Sequence, residues 1–170
     1  MLKTLSKGIA ARIKESAPDH PASAAVLQYS ISFILNAVVI IVLSILISLF
    51  TGRTTDVLIA LFIFALLRQI SGGFHLKSGT ACVVVSVAAA NILPFIQLNN
   101  TGVLVSTIIS MILVIFFAPS RIEKQTKIPK SWYPMLKMIA LIIVGSNLLI
   151  KSDIIACTVL LQSITLITRR

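Results

Sequence analysis

Apolar residues recur along the chain in six runs that short polar or glycine-containing connections separate. The runs cover residues 26 to 50, 54 to 70, 80 to 98, 102 to 118, 134 to 150 and 154 to 168. In lipid a spanning backbone must satisfy its own hydrogen bonds, so such runs predict helices. The pattern predicts an all-α polytopic membrane protein with about six transmembrane or re-entrant helices, in a single membrane-embedded domain of residues 1–170.

The lengths of the runs leave the number of true spans open. A span perpendicular to the bilayer needs about 20 residues, and about 17 is the usual lower limit. The second, fifth and sixth runs are at or below that limit. We expect six spans, and four spans plus re-entrant segments are the alternative.

The residues before the first run predict a different kind of helix. Its apolar side chains share one helical face, namely Leu2, Leu5, Ile9 and Ile13. The basic residues lie mostly on other faces, and a basic amphipathic helix rests in the headgroup region of a bilayer. We therefore expect residues 1–20 to form an interfacial amphipathic helix, and a merely basic tail is the alternative.

The composition supports a lipid environment for the chain. Of its 170 residues, 57% are hydrophobic and 12% are charged, against roughly 25% charged in soluble domains. The formal net charge is +10. In a membrane protein such basic residues set the orientation of the spans and contact anionic headgroups. We therefore expect an anionic lipid bilayer as a partner, and no nucleic acid.

The basic residues also predict the orientation of the chain. If the N-terminus is inside the cell, thirteen Lys and Arg fall on the cytoplasmic side, and only Arg53 and Lys151 fall outside. Cytoplasmic connections are enriched in these residues. The count predicts a multi-pass protein of the cell membrane. Its two termini, its loop at 71–79 and its basic loop at 119–133 would face the cytoplasm.

The connection between the second and third runs concentrates the groups that can perform chemistry. Residues 68 to 82 hold three of the seven glycines, His75, and Cys82, which is one of the two cysteines. Gly72-Gly73 and Ser78-Gly79 permit sharp turns of the backbone. The segment therefore reads as a loop that can bring its two ends together.

The spacing of His75 and Cys82 requires such a break. On one continuous helix they would be about 10.5 Å apart along the axis, too far for a hydrogen bond. If a new helix begins near Thr80, His75 can fold back over its start and Cys82 lies in its first turn. Free N–H groups there and the imidazole would favour the thiolate, which is the nucleophile. The same N–H groups would hold a tetrahedral oxyanion.

A third member of a protease centre, which would orient the imidazole, is not evident in the sequence. Gln69 is the nearest candidate, whereas Asp56 lies at the opposite end of its span. The competing interpretation is a polar hinge between two spans with Cys82 as small apolar filler. Cys157 reads as packing. The cysteines form no CxxC pattern with clustered His, so we expect no metal site and no cofactor.

The order Arg68, Gly72-Gly73-Phe74-His75, Cys82 between the second and third apolar runs of a small basic membrane protein resembles the accessory gene regulator B (AgrB) family. The chain length, the six runs and the Lys-rich loop also match, so the resemblance spans most of the chain. It implies a membrane cysteine endopeptidase. Such an enzyme cleaves a small precursor peptide and assists its cyclisation to a thiolactone or lactone quorum-sensing signal.

The resemblance also implies roles for particular residues. His75 and Cys82 match the catalytic pair of the family, and Arg68 and Gly73 match supporting motif positions. The basic loop offers Lys124, Lys127 and Lys130 as docking groups for an acidic precursor tail. Anchoring of the loop at the membrane is an equally good explanation of these lysines.

Two further functions compete with peptide processing. Polar residues within the apolar runs would suit a small-peptide transporter or export channel without proteolytic activity, namely Asn36, Asn91, Asn147 and Gln162. A noncatalytic membrane scaffold is the third reading. The sequence determines no oligomeric state, and a homo-oligomer is left open.

Overall fold

The structure is a computed structural model, and it describes residues 2–19, 21–74, 78–120 and 128–167. Eight α-helices and no strands occur in these ranges. They are α1 (Leu2–Ser16), α2 (Ala24–Thr51), α3 (Thr54–Ser71), α4 (Gly79–Ile92), α5 (Asn100–Phe117), α6 (Tyr133–Gly145), α7 (Asn147–Ile150) and α8 (Asp153–Ile164). Short 3-10 turns at Leu93–Phe95 and Lys130–Trp132 extend α4 and precede α6. The all-α prediction is confirmed.

Four of the described helical segments are long and apolar enough to cross a membrane. They are Ala24–Thr51, Thr54–Ser71, Asn100–Phe117 and Lys130–Ile150. Gly79–Phe95 and Asp153–Ile164 are shorter apolar segments. We expected the second, fifth and sixth runs to be short, and only the sixth forms a helix shorter than a span requires. The second and fifth reach the required length, whereas the third ends early because Pro94 lies in a 3-10 turn that terminates it.

The surface of the bundle is apolar, as expected for a protein solvated by lipid. Phe50 is 92% exposed and Leu149 is 87% exposed, and large aliphatic side chains face outward along each long helix. A water-soluble protein rarely exposes a contiguous apolar surface of this extent. The architecture is that of a polytopic membrane protein.

The hydrophobic core lies where α3, α5, α6 and α8 meet. Its buried residues are Leu67, Val114, Ala118, Ala140, Val144, Val159 and Leu166. The last helix, α8, is short but largely buried and packs against both α3 and α5. Cys157 is one of its buried residues, in agreement with a packing role.

The helices α1, α2 and α4 form a layer beside this core, in which α2 packs against both α1 and α4. The α1 contact uses the small residues Ser6 and Ala10, which are buried, whereas Leu5 remains 53% exposed. Small residues allow close approach of two helices in lipid. The helix predicted before the first apolar run is therefore present as α1. Its apolar face is partly exposed, at Leu5, beside the contact with α2.

The connections alternate between two ends of the bundle. One end, which we call the loop end, gathers Ser71–Phe74, Ser120 and Thr165. The far end contains the α2–α3 and α4–α5 connections. The guanidinium carbon of Arg53, in the first connection, lies 5.9 Å from the ring centroid of Phe95, which lies just before the second. The far end also holds a cavity of about 250 Å³ that Asn100 and Lys151 help to line. This alternation agrees with the order of connections that the charge count requires.

A buried polar cluster stabilises the far end. The Asn147 side chain donates to Thr107 Oγ1 and to the Ser152 carbonyl, both at 3.1 Å, and accepts from Ser152 N at 3.1 Å. A buried amide with all these partners satisfied stabilises a fold rather than straining it. Asn147 therefore has a structural explanation.

Candidate active site

The loop between α3 and α4 begins at a glycine pair whose backbone only glycine adopts readily. Gly72 ends α3 with φ +74° and ψ −139°, and Gly73 follows with φ +124°. Just before the turn, the Ser71 hydroxyl donates to the Leu67 carbonyl at 2.7 Å. The helix therefore stops at this pair, because an L side chain is strained in both conformations. The predicted break at Gly72-Gly73 is confirmed.

The glycine turn is tied to the end of α5. Gly73 N donates to the Ser120 carbonyl at 3.0 Å, and Ser120 N donates to the Ser71 carbonyl at 2.9 Å. The two bonds form a short parallel bridge between Gly72 and Ser120. The turn and Ser120, near the start of the basic loop, therefore share one rigid contact.

Phe74, the last described residue before His75, is held at both of its backbone polar groups. Its N–H donates to the Thr165 carbonyl at 2.9 Å. Its carbonyl accepts from the Arg68 guanidinium at 2.8 Å. The guanidinium carbon also lies 5.8 Å from the Phe64 ring centroid, in cation–π range. The attachment point of His75 is therefore fixed by α3 and by the segment after α8.

Cys82 lies at the end of the first turn of α4. Ser78 caps this helix, and its hydroxyl accepts from Ala81 N at 3.4 Å. Cys82 N already donates to the Ser78 carbonyl at 3.0 Å, so this N–H is not available for an oxyanion. The expected new helix is present and begins at Gly79, one residue before the expected position. Cys82 itself is half-buried.

Arg68 connects α3 to the start of the loop. Its guanidinium reaches from α3 to the carbonyl of Phe74, the residue before His75. An Arg side chain has five N–H donors, so one bond to a carbonyl leaves others available.

The model of the accessory gene regulator B family matches residues 6–166, nearly the whole chain. The chain belongs to this family. Membership supports a role in processing a quorum-sensing peptide and implies a small precursor peptide as substrate. No curated protein and no solved structure gives a significant match.

The described part of this AgrB-family chain contains some of the sequence-predicted site residues and not others. Arg68, Gly73 and Cys82 lie around the glycine turn, Lys130 is exposed beside α6, and Gln69 is exposed on α3. His75, Lys124 and Lys127 lie outside the described residues. Asp56 pairs with Arg53 at 3.3 Å at the opposite end of α3, so the expectation that it lies far from the loop is confirmed.

One residue of the AgrB site was missed as such in the sequence. Gln162 of α8 is 1% exposed, and its Nε2 donates to the Gly72 carbonyl at 2.9 Å. Its signal in the sequence is a lone amide inside an apolar run, one of the four amides that would suit a transporter. The described residues contain no group of three or more His, Cys, Asp or Glu that could hold a metal ion.

Proposed function

We propose that the protein is a membrane cysteine endopeptidase in which His75 and Cys82 form the catalytic pair. The observation that carries the proposal is the bond from Arg68 to the Phe74 carbonyl, which fixes the residue before His75 beside α3, while Cys82 lies in the first turn of α4. The break between α3 and α4 removes the obstacle that a continuous helix would impose on the pair. The family's role in peptide processing supplies the substrate class.

In the first chemical step the thiolate of Cys82 attacks the carbonyl carbon of the scissile peptide bond. The C–N bond then breaks, and His75, which took the thiol proton, gives it to the leaving amine. The C-terminal fragment of the precursor departs with a new amino terminus. The N-terminal part stays on Cys82 as a thioester.

In the second step a cysteine thiol or serine hydroxyl within the bound peptide attacks the thioester carbonyl. His75, neutral after the first step, takes the proton of the attacking group; a thiolactone or lactone ring closes, and Cys82 leaves as a thiolate. Holding the nucleophile of the same peptide near the thioester favours this intramolecular reaction over hydrolysis by water. Cyclisation thereby keeps the activation gained during cleavage.

Negative charge that develops during both steps needs a partner. Since Cys82 N is already bonded within α4, we assign this role to Arg68, whose bond to Phe74 leaves further N–H donors. A cation placed before the reaction stabilises an oxyanion without reorganisation of solvent. Gly73 and Gln69 are supporting positions in this proposal, and Gly73 contributes through the geometry of the turn.

The loop end is proposed to face the cytoplasm, where the precursor is made. Basic residues are enriched in cytoplasmic connections, and Arg53 and Lys151 are the only Lys or Arg assigned to the other side. Lys130, which is exposed, together with Lys124 and Lys127 would dock an acidic precursor tail or anchor the loop at anionic lipid.

The proposal is tested by co-expressing the chain with a tagged version of the small peptide encoded next to its gene. We expect Cys82→Ser and His75→Ala each to leave the peptide uncut at unchanged protein level. The matched control is Cys157→Ala, which alters the other cysteine, buried in α8, and should still cleave. Normal cleavage in either site variant would refute the proposal.

No specific observation favours the transporter. Of the polar residues that suggested it, Asn147 and Gln162 bond to other segments, and Asn91 Nδ2 donates to the Val87 carbonyl at 2.9 Å. These bonds give three of the four amides structural roles within the bundle. Among the described residues, the Oδ1 atoms of Asn36 and Asn91 are buried without a hydrogen-bond partner. A transporter would still move peptide across vesicle membranes after alkylation of Cys82, and a protease would lose its activity.

A further inference from the structure

The side chain of Gln162 joins the last helix to the glycine turn. Its Nε2 donates to the Gly72 carbonyl at 2.9 Å and lies 3.4 Å from Ser71 Oγ. The two segments are ninety residues apart in sequence. A buried amide that is left unpaired destabilises the fold, so this bond favours one relative position of turn and helix.

Thr165 fixes the orientation of the Gln162 amide. Its single hydroxyl proton is directed at the Gln162 backbone carbonyl, at 2.7 Å, and is shared with the side-chain Oε1, at 3.3 Å. The Gly72 carbonyl can only accept, so the amide must present its NH₂ group to the turn. Oε1 then faces the hydroxyl of Thr165. Both ends of the amide are therefore engaged.

The turn depends on such external bonds because glycine imposes few conformational limits of its own. Gly72 and Gly73 carry positive φ angles. Their direction is set by Ser120, Thr165 and Gln162. A shift of the turn moves Phe74, and His75 is attached directly to Phe74. Displacement of a catalytic group by about 1 Å can cost about 10²-fold in rate.

We propose that Gln162 is a positioning residue for the glycine turn, which acts by holding the Gly72 carbonyl and thereby the direction in which the chain leaves α3 toward His75. The inference rests on the proposed protease function. It assigns to the last helix a role in the active site that its apolar sequence does not suggest. Gln162 itself touches neither Cys82 nor the substrate in this proposal.

The test compares Gln162→Met, which keeps the length of the side chain and removes both polar atoms, with Thr158→Val. Thr158 is an equally buried residue one turn earlier on α8, and its hydroxyl bonds only its own helix, at the Ile154 carbonyl. All variants carry Cys157→Ala, so that iodoacetamide reports on Cys82 alone. The rate of Cys82 alkylation is measured from pH 5 to 10 in purified, lipid-reconstituted protein.

Alkylation follows the fraction of thiolate, and a paired imidazole changes its dependence on pH. We expect the pH profile of Gln162→Met to coincide with that of His75→Ala, and the profile of Thr158→Val to coincide with that of the parent. Precursor cleavage should fall about 10²-fold in kcat in Gln162→Met, with little change in KM. A purely structural role would lower the yield of folded protein and leave the pH profile of that protein unchanged.

A parental pH profile in Gln162→Met overturns the inference, and so does the same change in Thr158→Val. If Gln162→Met does not accumulate, Thr165→Val replaces it, since it removes the hydroxyl that orients the amide and keeps the Gly72 bond. An intermediate profile is then expected, and a parental one overturns the inference. Cleavage that persists in Cys82→Ser removes the protease function itself, a result distinct from parental behaviour of Gln162→Met.

Discussion

Glycine at position 73 is required by both its backbone angle and its surroundings. Its φ is +124°, and a Cβ built there would lie 2.7 Å from Thr165 Oγ1. Gly52, at the far end of the bundle, also has a positive φ, of +69°, but nothing lies within 4 Å of its Cβ position. Substitutions at these two glycines therefore distinguish the effect of backbone strain from the effect of a steric clash at the site.

We expect Gly73→Ala to abolish precursor cleavage, because the new methyl group pushes the turn away from Thr165 and shifts Phe74. The free energy of unfolding of Gly73→Ala should fall by about 1–3 kcal/mol, through backbone strain and the steric clash with Thr165. Gly52→Ala should lose about 1–2 kcal/mol from its left-handed backbone and keep its cleavage rate. Thermal unfolding in detergent and cleavage assays measure the two effects. Equal cleavage by both variants would contradict a role of the turn in activity.

At the scale of secondary structure, the position of Cys82 depends on where α4 begins. Ser78 sets this start through its side-chain bond to Ala81 N, and its carbonyl receives the N–H of Cys82. The helix begins with a glycine and contains several β-branched residues, so its intrinsic helical stability is modest. The cap therefore matters for the first turn more than for the remainder of α4.

We expect Ser78→Ala to cost about 1 kcal/mol, as the loss of a serine cap usually does, and to lower the cleavage rate because the turn that carries Cys82 frays. Ser78→Asn, which restores a capping side chain, should recover most of the rate. The matched control is Ser23→Ala, which removes the equivalent cap of α2, where Ser23 Oγ accepts from Val26 N at 3.3 Å. If Ser23→Ala slows cleavage as much as Ser78→Ala, the cap has no specific role in the site.

At the scale of the whole molecule, the bundle has two chemically different ends. The loop end carries the glycine turn, Ser120 and Thr165, and the far end carries Arg53 and the Asn147 cluster. Four described helical segments have the length to separate these ends across a bilayer. An 18-residue helix such as α3 is about 27 Å long, close to the thickness of the hydrocarbon core. The two ends are thus proposed to contact different compartments.

Single cysteines at the two ends test this orientation. In a background of Cys82→Ser and Cys157→Ala, Thr101→Cys lies at the far end and Ser131→Cys at the basic loop, both exposed. We expect a membrane-impermeant maleimide to label Thr101→Cys in intact cells, and to label Ser131→Cys only after permeabilisation. Labelling of Ser131→Cys in intact cells would reverse the proposed topology and place the protease centre outside the cell.

The sequence by itself determined the helices, because their signals are local. Apolar runs mark α2, α3, α5 and α8 within a few residues, and the glycines at Gly72-Gly73 and Ser78-Gly79 mark the end of α3 and the start of α4. The fifth run covers both α6 and α7, whose separation it does not show. The sequence did not determine where the helix of the third run ends, because a 3-10 turn at Pro94 follows α4 in place of further α-helix. The lone amide at 162 was visible in the sequence, but its partner was not.

Only the tertiary structure decided what holds the loop that carries His75. Gln162, Thr165 and Ser120 reach the glycine turn across forty-five or more positions of sequence. A hydrogen bond between distant segments depends on how the helices pack, and in lipid that packing comes from small surface differences among uniformly apolar helices. Such differences leave no periodic pattern in the chain, so the support of the site appears only once the bundle is assembled.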